Sequence, residues 1–221
     1  MALVGILLAA GRGRRFDPSG VHDKLLQPLA GGDAVVVASA RALLAVLPHV
    51  IAVVRAGDGG VATVLRALGC DVTVCVDADD GMAASLVHGV RYAVRYSMHH
   101  STHYSEHDSL PAPGWLIALG DMPHVRAATV QALADALVGG ALIAAPLNDG
   151  ARGNPVAFSA ACLPDLLALT GDEGARGILR RHPVTEVRVT DPGIFQDIDR
   201  PADLHGKPSG AFFASIDRPA P

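Results

Sequence analysis

The sequence of 221 residues lacks several features that would assign it to familiar classes of protein. It has no basic excess, since 18 Lys and Arg stand against 22 Asp and Glu for a formal net charge of −4. This balance argues against a general binder of nucleic-acid phosphates. No apolar run approaches the roughly twenty residues of a membrane span. The short apolar run at the N-terminus precedes its arginines, which is the reverse of a secretory signal. We therefore expect neither nucleic acid nor membrane as a partner.

Cysteine is scarce as well. The three cysteines, Cys70, Cys75 and Cys162, are odd in number and lack metal-ligand spacing, which fits a reducing cytoplasm and ordinary apolar packing. Half of the residues are hydrophobic and only 18% are charged, a composition that excludes a disordered chain. The length predicts one domain.

Apolar strand-like runs alternate with helical patterns along the chain. The run at residues 3–9 is continuous, as expected of a strand buried on both faces. Further strands are predicted at residues 50–54, 72–76, 115–119, 142–145 and 184–189. Helices are predicted at residues 34–47 (with Asp33 as N-cap), 60–68, 82–96 and 127–138, and two short ones follow residue 158. This alternation predicts an α/β domain of three layers around a mostly parallel sheet.

Two segments fall outside this pattern. Residues 97–113 contain four histidines and almost nothing apolar, and we interpret them as a solvated loop insertion; a histidine metal site is the weaker alternative. Residues 206–221 are expected to form a flexible tail, which leaves a single domain at residues 1–205.

The first polar cluster, LAAGRGRRF followed by DKLL, directly follows the first strand. Gly11 and Gly13 permit a backbone that turns its N–H groups toward phosphate oxygens. The interleaved arginines and Lys24 supply positive charge for phosphoryl transfer. The alternative is a glycine-rich surface turn with solvated arginines. Lys24, as a loop residue, is expected to contribute little packing, and His22 is more simply a solvated histidine than a phosphate ligand.

The second cluster, LGDMP, follows the strand at residues 115–119. A carboxylate there is costly unless it is paired or bound to a metal. Facing a triphosphate, Asp121 would be a natural Mg²⁺ ligand. The alternative is a cap for the helix that begins near Arg126.

The remaining clusters are weaker individually. In DDGMAASL, Gly81 precedes a helix start that offers free N–H groups to a ligand, or it forms only a turn. In FQDIDRPADL, Asp197 and Asp199 either bring a second carboxylate to the metal or act as N-terminal charges of a helix.

In this order, the motifs LAAGRGRRF–DKLL, GMAAS, LGDMP, RGNPVAF, GDEGAR and DIDRPADL resemble those of the molybdenum cofactor nucleotidyltransferases. The resemblance extends from residue 3 to residue 204 and is greatest to the branch that transfers CMP from CTP. It implies a Rossmann-like nucleotidyltransferase fold, Mg²⁺ as cofactor, CTP or another NTP and a molybdopterin-type cofactor as substrates, and a molybdoenzyme or its chaperone as a further partner.

The resemblance also implies roles for individual residues. Arg15, Lys24 and Asp121 would be catalytic, and Asp121 and Asp199 would hold the metal. The nucleotide would be bound by Leu8, Ala9, Ala10, Gly11, Arg12, Gly13, Lys24, Gly81 and Ser85. Guanylyl-transferring relatives usually carry glycine at the position of Ala10, so its methyl group would favour the smaller pyrimidine.

Three departures from the family pattern stand out. Asn154 replaces the usual histidine of RGHPV, Ala83 replaces a glycine, and the spacer between Arg15 and Lys24 is long. The alternatives to a cofactor cytidylyltransferase are a relative that uses GTP or a sugar phosphate and, from another class, a non-catalytic nucleotide-binding partner of molybdoenzymes.

Overall fold

The computed structural model describes residues 3–100, 113–172 and 174–205, with the backbone alone for residues 97–100. The strands are β1 (Val4–Ala9), β2 (His49–Arg55), β3 (Asp71–Cys75), β4 (Gly114–Leu119), β5 (Ile143–Asn148), β6 (Ala151–Arg152), β7 (Val156–Ser159) and β8 (Thr185–Arg188). The helices are α1 (Val35–Leu44), α2 (Val61–Ala67), α3 (Met82–His100), α4 (Ala127–Val138), α5 (Leu163–Leu167) and α6 (Arg176–Arg181). Short 3-10 turns lie between several of these elements.

The strands form one mixed sheet in the order β3-β2-β1-β4-β7-β5-β6, with β8 beside β5. The pairs β1–β2, β1–β4, β2–β3 and β5–β8 are parallel, and β7 runs antiparallel to both of its neighbours. In the middle of the sheet, Ile6 of β1 lies between Ile51 of β2 and Ile117 of β4. The chain leaves β1 for β2 on one side and enters β4 on the other. Such a change of direction opens a crevice at the carboxyl ends of the strands.

Both faces of the sheet are covered, which explains the unbroken apolar run of β1. Leu7 packs into a core with residues of α1, α2 and α4. Ile6, pointing the opposite way, packs into a second core with residues of α3, α5 and α6. Both side chains are fully buried. The predicted three-layer α/β architecture with a mostly parallel sheet is confirmed.

Three local predictions differ from the structure. Asp33 does not cap α1; Ala34 holds the cap position without a side-chain bond, and Asp33 instead forms an ion pair with Arg41. Helix α3 continues to His100, so residues 97–100 are helical rather than a loop. Residues 101–112 of the histidine-rich segment and 206–221 of the tail lie outside the described residues. The antiparallel strands β6 and β7 were not expected at all.

Among the described residues, no helix combines the length and the apolar character that crossing a membrane requires.

Candidate functional site

A cleft of about 430 Å³ opens at the carboxyl ends of β1 and β4, against the first turn of α3. Nine of the predicted site residues line it: Leu8, Ala9, Ala10, Gly11, Arg12, Lys24, Gly81, Ser85 and Asp121. Gly13, Arg15 and Asp199 do not line the cleft itself. The walls also contain Arg14, Leu25, Ala78, Asp79, Met82, Leu119 and Asp172, which the sequence did not single out as nucleotide ligands.

Lys24 lies at the centre of the charged part of this cleft. Its ammonium donates to Asp121 Oδ2 at 2.6 Å and to Asp199 Oδ1 at 3.3 Å, and only 7% of the residue is exposed. Burial lowers the pKa of Lys24, but the two carboxylates more than offset that effect, so its pKa lies above the ordinary value. Lys24 is therefore a fixed positive charge, and the expectation that it contributes little packing is wrong.

The position of Lys24 depends on two neighbours. Asp23 caps the 3-10 turn Lys24–Leu26 by accepting from the Leu25 N–H, and it pairs with Arg55 at 3.0 Å. Gly13 has a φ of +60°, and a Cβ there would lie 3.2 Å from the Lys24 side chain. Glycine at position 13 thus fits both the turn and the close packing of the lysine stem.

Asp121 follows β4 through Gly120 and is held beside the segment that carries Asp199. The Ile198 N–H donates to the Asp121 carbonyl at 2.9 Å, and Asp199 also accepts from Arg15 at 3.0 Å. Asp121 Oδ1 is buried and forms no hydrogen bond with any of the described residues. Asp121 is therefore paired, as a carboxylate at this place requires, and the pairing uses only its Oδ2.

Neither carboxylate serves as a helix cap. Asp191, which is only 2% exposed, accepts from the Arg126 N–H at 2.9 Å and from the Thr129 hydroxyl at 2.6 Å at the start of α4. Asp203 accepts from the Asp199 and Arg200 N–H groups. Asp121 and Asp199 instead face Lys24, and of the two only Asp121 lines the cleft.

Asp197 is a third carboxylate near this centre. Burial and the charges of Asp199 and Asp121 raise its pKa. In the described part of the chain, however, no three His, Cys, Asp or Glu side chains converge closely enough to hold a metal by themselves. Asp121, with its unsatisfied oxygen, and Asp199 form a two-carboxylate donor set, which suits a Mg²⁺ ion that also takes phosphate oxygens and water.

The arginine-rich loop after β1, residues 10–23, is held by side-chain contacts at Arg12 and at Asp17. Arg12 forms a bidentate pair with Asp79 across the cleft, and this contact holds the pKa of Asp79 below its ordinary value. The long spacer is organised by Asp17, which accepts from Ser19 and from the backbone of His22, with the His22 imidazole 3.1 Å away. His22 thus has a carboxylate partner within its own loop.

Comparison with known proteins identifies the family. The family model described as "MobA-like NTP transferase domain" matches residues 5–187. The chain belongs to this family. It is 29% identical over 215 residues to the purine catabolism protein PucB of Bacillus subtilis, covering 91% of this chain and 93% of PucB.

Solved structures agree with that assignment. Rv0371c of Mycobacterium tuberculosis superimposes on this MobA-like domain with a TM-score of 0.69 at 27% identity, covering 92% and 96% of the two chains. A structure described as a nucleotidyl transferase from Methanothermobacter thermautotroptrophicus superimposes with a TM-score of 0.69 at 25% identity, covering 91% of this chain and 94% of the other. A further structure of Rv0371c, described as a complex with manganese, has a TM-score of 0.64 at 24% identity, covering 93% of this chain and 94% of the other.

A second, smaller pocket of about 110 Å³ adjoins the cleft in this MobA-like domain, and Leu8, Met82 and Leu119 line both. Its walls are mainly apolar, with Arg152 and Arg176 among them. Asn154, one of the departures from the family motifs, lines this pocket and not the larger cleft.

The cysteines of this MobA-like domain are all buried. Burial raises the pKa of the Cys70 thiol to about 11 and raises the pKa of Cys75 and Cys162 as well. The interpretation of the three as packing residues agrees with this, because none is a ready thiolate.

Proposed function

We propose that this chain transfers CMP from CTP to the terminal phosphate of a molybdopterin-type cofactor, releasing pyrophosphate in a Mg²⁺-dependent reaction. The observation that carries the proposal is the triad of Lys24, Asp121 and Asp199 at the edge of a cleft large enough for a nucleotide. A buried cation shared by two carboxylates is an arrangement for neutralising phosphate charge while retaining a site for a divalent metal.

The chain's residues divide the work of an in-line displacement. An oxygen of the acceptor phosphate attacks the α-phosphorus of CTP, and the bond from that phosphorus to the bridging α–β oxygen breaks. Pyrophosphate leaves with the electron pair, so no protein nucleophile is required. Arg12, Arg14 and Lys24 line the cleft and would hold the phosphates. Arg15, which donates a hydrogen bond to Asp199, would add positive charge from a position outside the cleft wall.

Asp121 and Asp199 would hold Mg²⁺, which would supply Lewis-acid stabilisation of the charge that develops on the transferred group. The unpartnered Asp121 Oδ1 is the direct support for this role. The manganese described in the structure of Rv0371c also supports a divalent cation. Because the pKa of Lys24 is raised, Lys24 would act as a permanent charge and not as a proton donor.

The acceptor would occupy the adjoining pocket. The shared walls of Leu8, Met82 and Leu119 connect it directly to the nucleotide cleft. Its apolar lining suits a flat heterocycle, and Arg152 and Arg176 suit an anionic substituent. Asn154 can offer hydrogen bonds there without the charge that a histidine could carry.

The alternative is a relative that uses GTP or a sugar phosphate, because the phosphate-binding residues are indifferent to the base and to the acceptor. Ala10 is the observation that favours CTP, since this residue lines the cleft and its methyl group would take space that a purine needs. The experiment is pyrophosphate release with each of the four NTPs, tested against a molybdopterin-type acceptor and against glucose 1-phosphate.

We expect the highest rate with CTP and the pterin acceptor. Asp121→Asn should raise the Mg²⁺ concentration required, whereas Asp135→Asn, a matched change of an exposed carboxylate on α4, should leave the titration unaltered. Turnover with the sugar phosphate alone would refute the proposed acceptor. An unchanged Mg²⁺ titration in Asp121→Asn would refute the metal assignment.

A further inference from the structure

The GDEGAR segment, residues 171–176, connects α5 to the start of α6, and apart from Arg176 the chemistry above makes no use of it. The structure nevertheless fixes this segment to the nucleotide cleft. The Gly171 carbonyl accepts from the Ala83 N–H at 3.1 Å, which satisfies one of the free donors in the first turn of α3. Gly174 lies directly against Met82, because a Cβ there would be 2.9 Å from the Met82 Sδ. The loop therefore forms part of the cleft wall.

Asp172 is the residue of this loop that faces the cleft. A Cβ on Gly81 would overlap Asp172 Oδ1 and would lie 2.7 Å from the Gly171 carbonyl oxygen. Gly81 also has a φ of +109°. Glycine at position 81 thus lets the carboxylate of Asp172 approach the backbone of the cleft with no side chain between them.

The carboxylate of Asp172 has no structural task that is visible in the described part of the chain. No described side chain or N–H group forms a hydrogen bond or ion pair with it, and the residue is exposed. In particular, two of the three cations that line the cleft have other carboxylate partners, Asp79 for Arg12 and Asp121 for Lys24.

Charge decides which part of a nucleotide this carboxylate meets. Arg12, Arg14 and Lys24 would hold a triphosphate, and a carboxylate that pairs with none of these cations would repel it. The cleft residues that contact this loop are Gly81, against Asp172, and Met82, against Gly174, and neither carries a charge. An ionised carboxylate only accepts hydrogen bonds, so it suits a part of the nucleotide that donates them.

We propose that Asp172 reads the nucleobase by accepting a hydrogen bond from its exocyclic amino group. This inference rests on the proposed function, namely on CTP as the occupant of the cleft. Cytosine presents an N4 amino donor, which carboxylates recognise. Uracil presents a carbonyl oxygen at the same place, and that oxygen would face the carboxylate as a second acceptor. Ala10 would limit the size of the base, and Asp172 would distinguish between pyrimidines.

The test compares the equilibrium binding of CTP and UTP, each with Mg²⁺, to the full chain and to Asp172→Asn. An asparagine amide has both a donor and an acceptor, so it can bind either pyrimidine. We expect the wild type to prefer CTP by at least about tenfold and the CTP-to-UTP ratio to fall by about tenfold or more in the variant. Asp172→Ala should weaken CTP binding, because the acceptor for the amino group is lost, and should also relieve the repulsion of UTP, so that the CTP-to-UTP ratio falls there as well.

The matched control is Asp80→Asn, which removes one negative charge from the turn before Gly81 but does not line the cleft. The CTP-to-UTP ratio of binding affinities in Asp80→Asn should equal that of the wild type. An equal loss of CTP and UTP binding in Asp172→Asn would assign the carboxylate to the ribose and overturn the inference. If neither affinity changes in Asp172→Asn, so that the CTP-to-UTP ratio stays at the wild-type value, the inference is overturned too, while the proposed function remains intact. Failure of the wild type to bind any NTP would refute the proposed function itself.

Discussion

Replacing Lys24 with methionine removes one charge from the centre of the site and keeps most of the side chain. In the native protein the ammonium lies between Asp121 Oδ2 at 2.6 Å and Asp199 Oδ1 at 3.3 Å. Lys24→Met leaves these two carboxylates close together without their shared counter-ion, and Asp197 adds a third negative charge nearby. We therefore expect the variant to lose both stability and activity.

The size of the stability loss follows from burial. Breaking a fully buried ion pair by removing one partner costs about 3–5 kcal/mol. The Lys24 side chain is 8% exposed, but those of Asp121 and Asp199 are 22% and 32% exposed, so water relieves part of the penalty. We expect a loss of about 1–3 kcal/mol, which is a fall in Tm of about 2–12 °C for a domain of this size.

A double-mutant cycle separates this mechanism from a general packing defect. Unfolding is measured by denaturant titration for Lys24→Met, Asp121→Asn and the double variant. Since the second change removes one of the two unpaired carboxylates, the double variant should be more stable than the sum of the single effects predicts, by about 1–2 kcal/mol. Added Mg²⁺ should raise the Tm of Lys24→Met more than that of the wild type, because the cation can replace the ammonium.

Turnover of Lys24→Met should fall on the order of 10²-fold or more, because a preorganised charge on the phosphates is lost. Two results would refute the reasoning. Strictly additive stabilities would show that Lys24 and Asp121 do not interact in solution, and near-normal turnover would remove Lys24 from the catalytic machinery.

Three further predictions concern base size, pH and the histidine-rich segment. Ala10→Gly should reduce a CTP-over-GTP preference of at least about tenfold in kcat/KM; equal wild-type values for the two nucleotides would contradict the steric argument. Burial and Arg95 lower the pKa of His88, whose Nε2 lies 2.8 Å from the Thr73 hydroxyl. Because the unfolded chain takes up this proton first, wild-type stability should decline as the pH falls below about 6.5. Tm measured from pH 7.5 to pH 5 should decline less in His88→Gln, and parallel curves would contradict the shift. Replacing residues 101–112 with a short Gly/Ser linker should preserve turnover, since changes in loop length cost little; loss of turnover would show that the segment serves the acceptor site.

Prediction from sequence succeeded where the determinants were local. The continuous apolar run of β1 reports burial on both faces, and Leu7 and Ile6 fill separate cores as that pattern implies. Local reasoning failed where a distant partner decides. Asp33 is a residue type that often caps helices, but here it pairs with Arg41. The start of α4 is instead capped by Asp191, which accepts a hydrogen bond from the Arg126 N–H although the two residues are 65 positions apart.

The candidate site shows the same division. The glycine loop and the aspartate after β4 could be recognised, because each follows a strand whose carboxyl end meets the crevice. The pairing of Lys24 with Asp121, 97 residues away, depends on the adjacency of β1 and β4 and could not be derived from either segment alone. The sequence did not predict that Asp172 lines the cleft. Its carboxylate can approach the cleft only because Gly81, 91 residues earlier in the chain, has no side chain.

The most direct test of the central claim follows the α-phosphate of CTP. The chain is mixed with Mg²⁺, CTP labelled at the α-phosphorus and a molybdopterin-type acceptor, and the products of a single turnover are separated and weighed by mass spectrometry. We predict that the label appears on the acceptor as an added CMP, with one pyrophosphate released for each transfer. Tight binding of Mg²⁺ and CTP with the label remaining in CTP would contradict the account and show a nucleotide-binding protein that does not catalyse transfer.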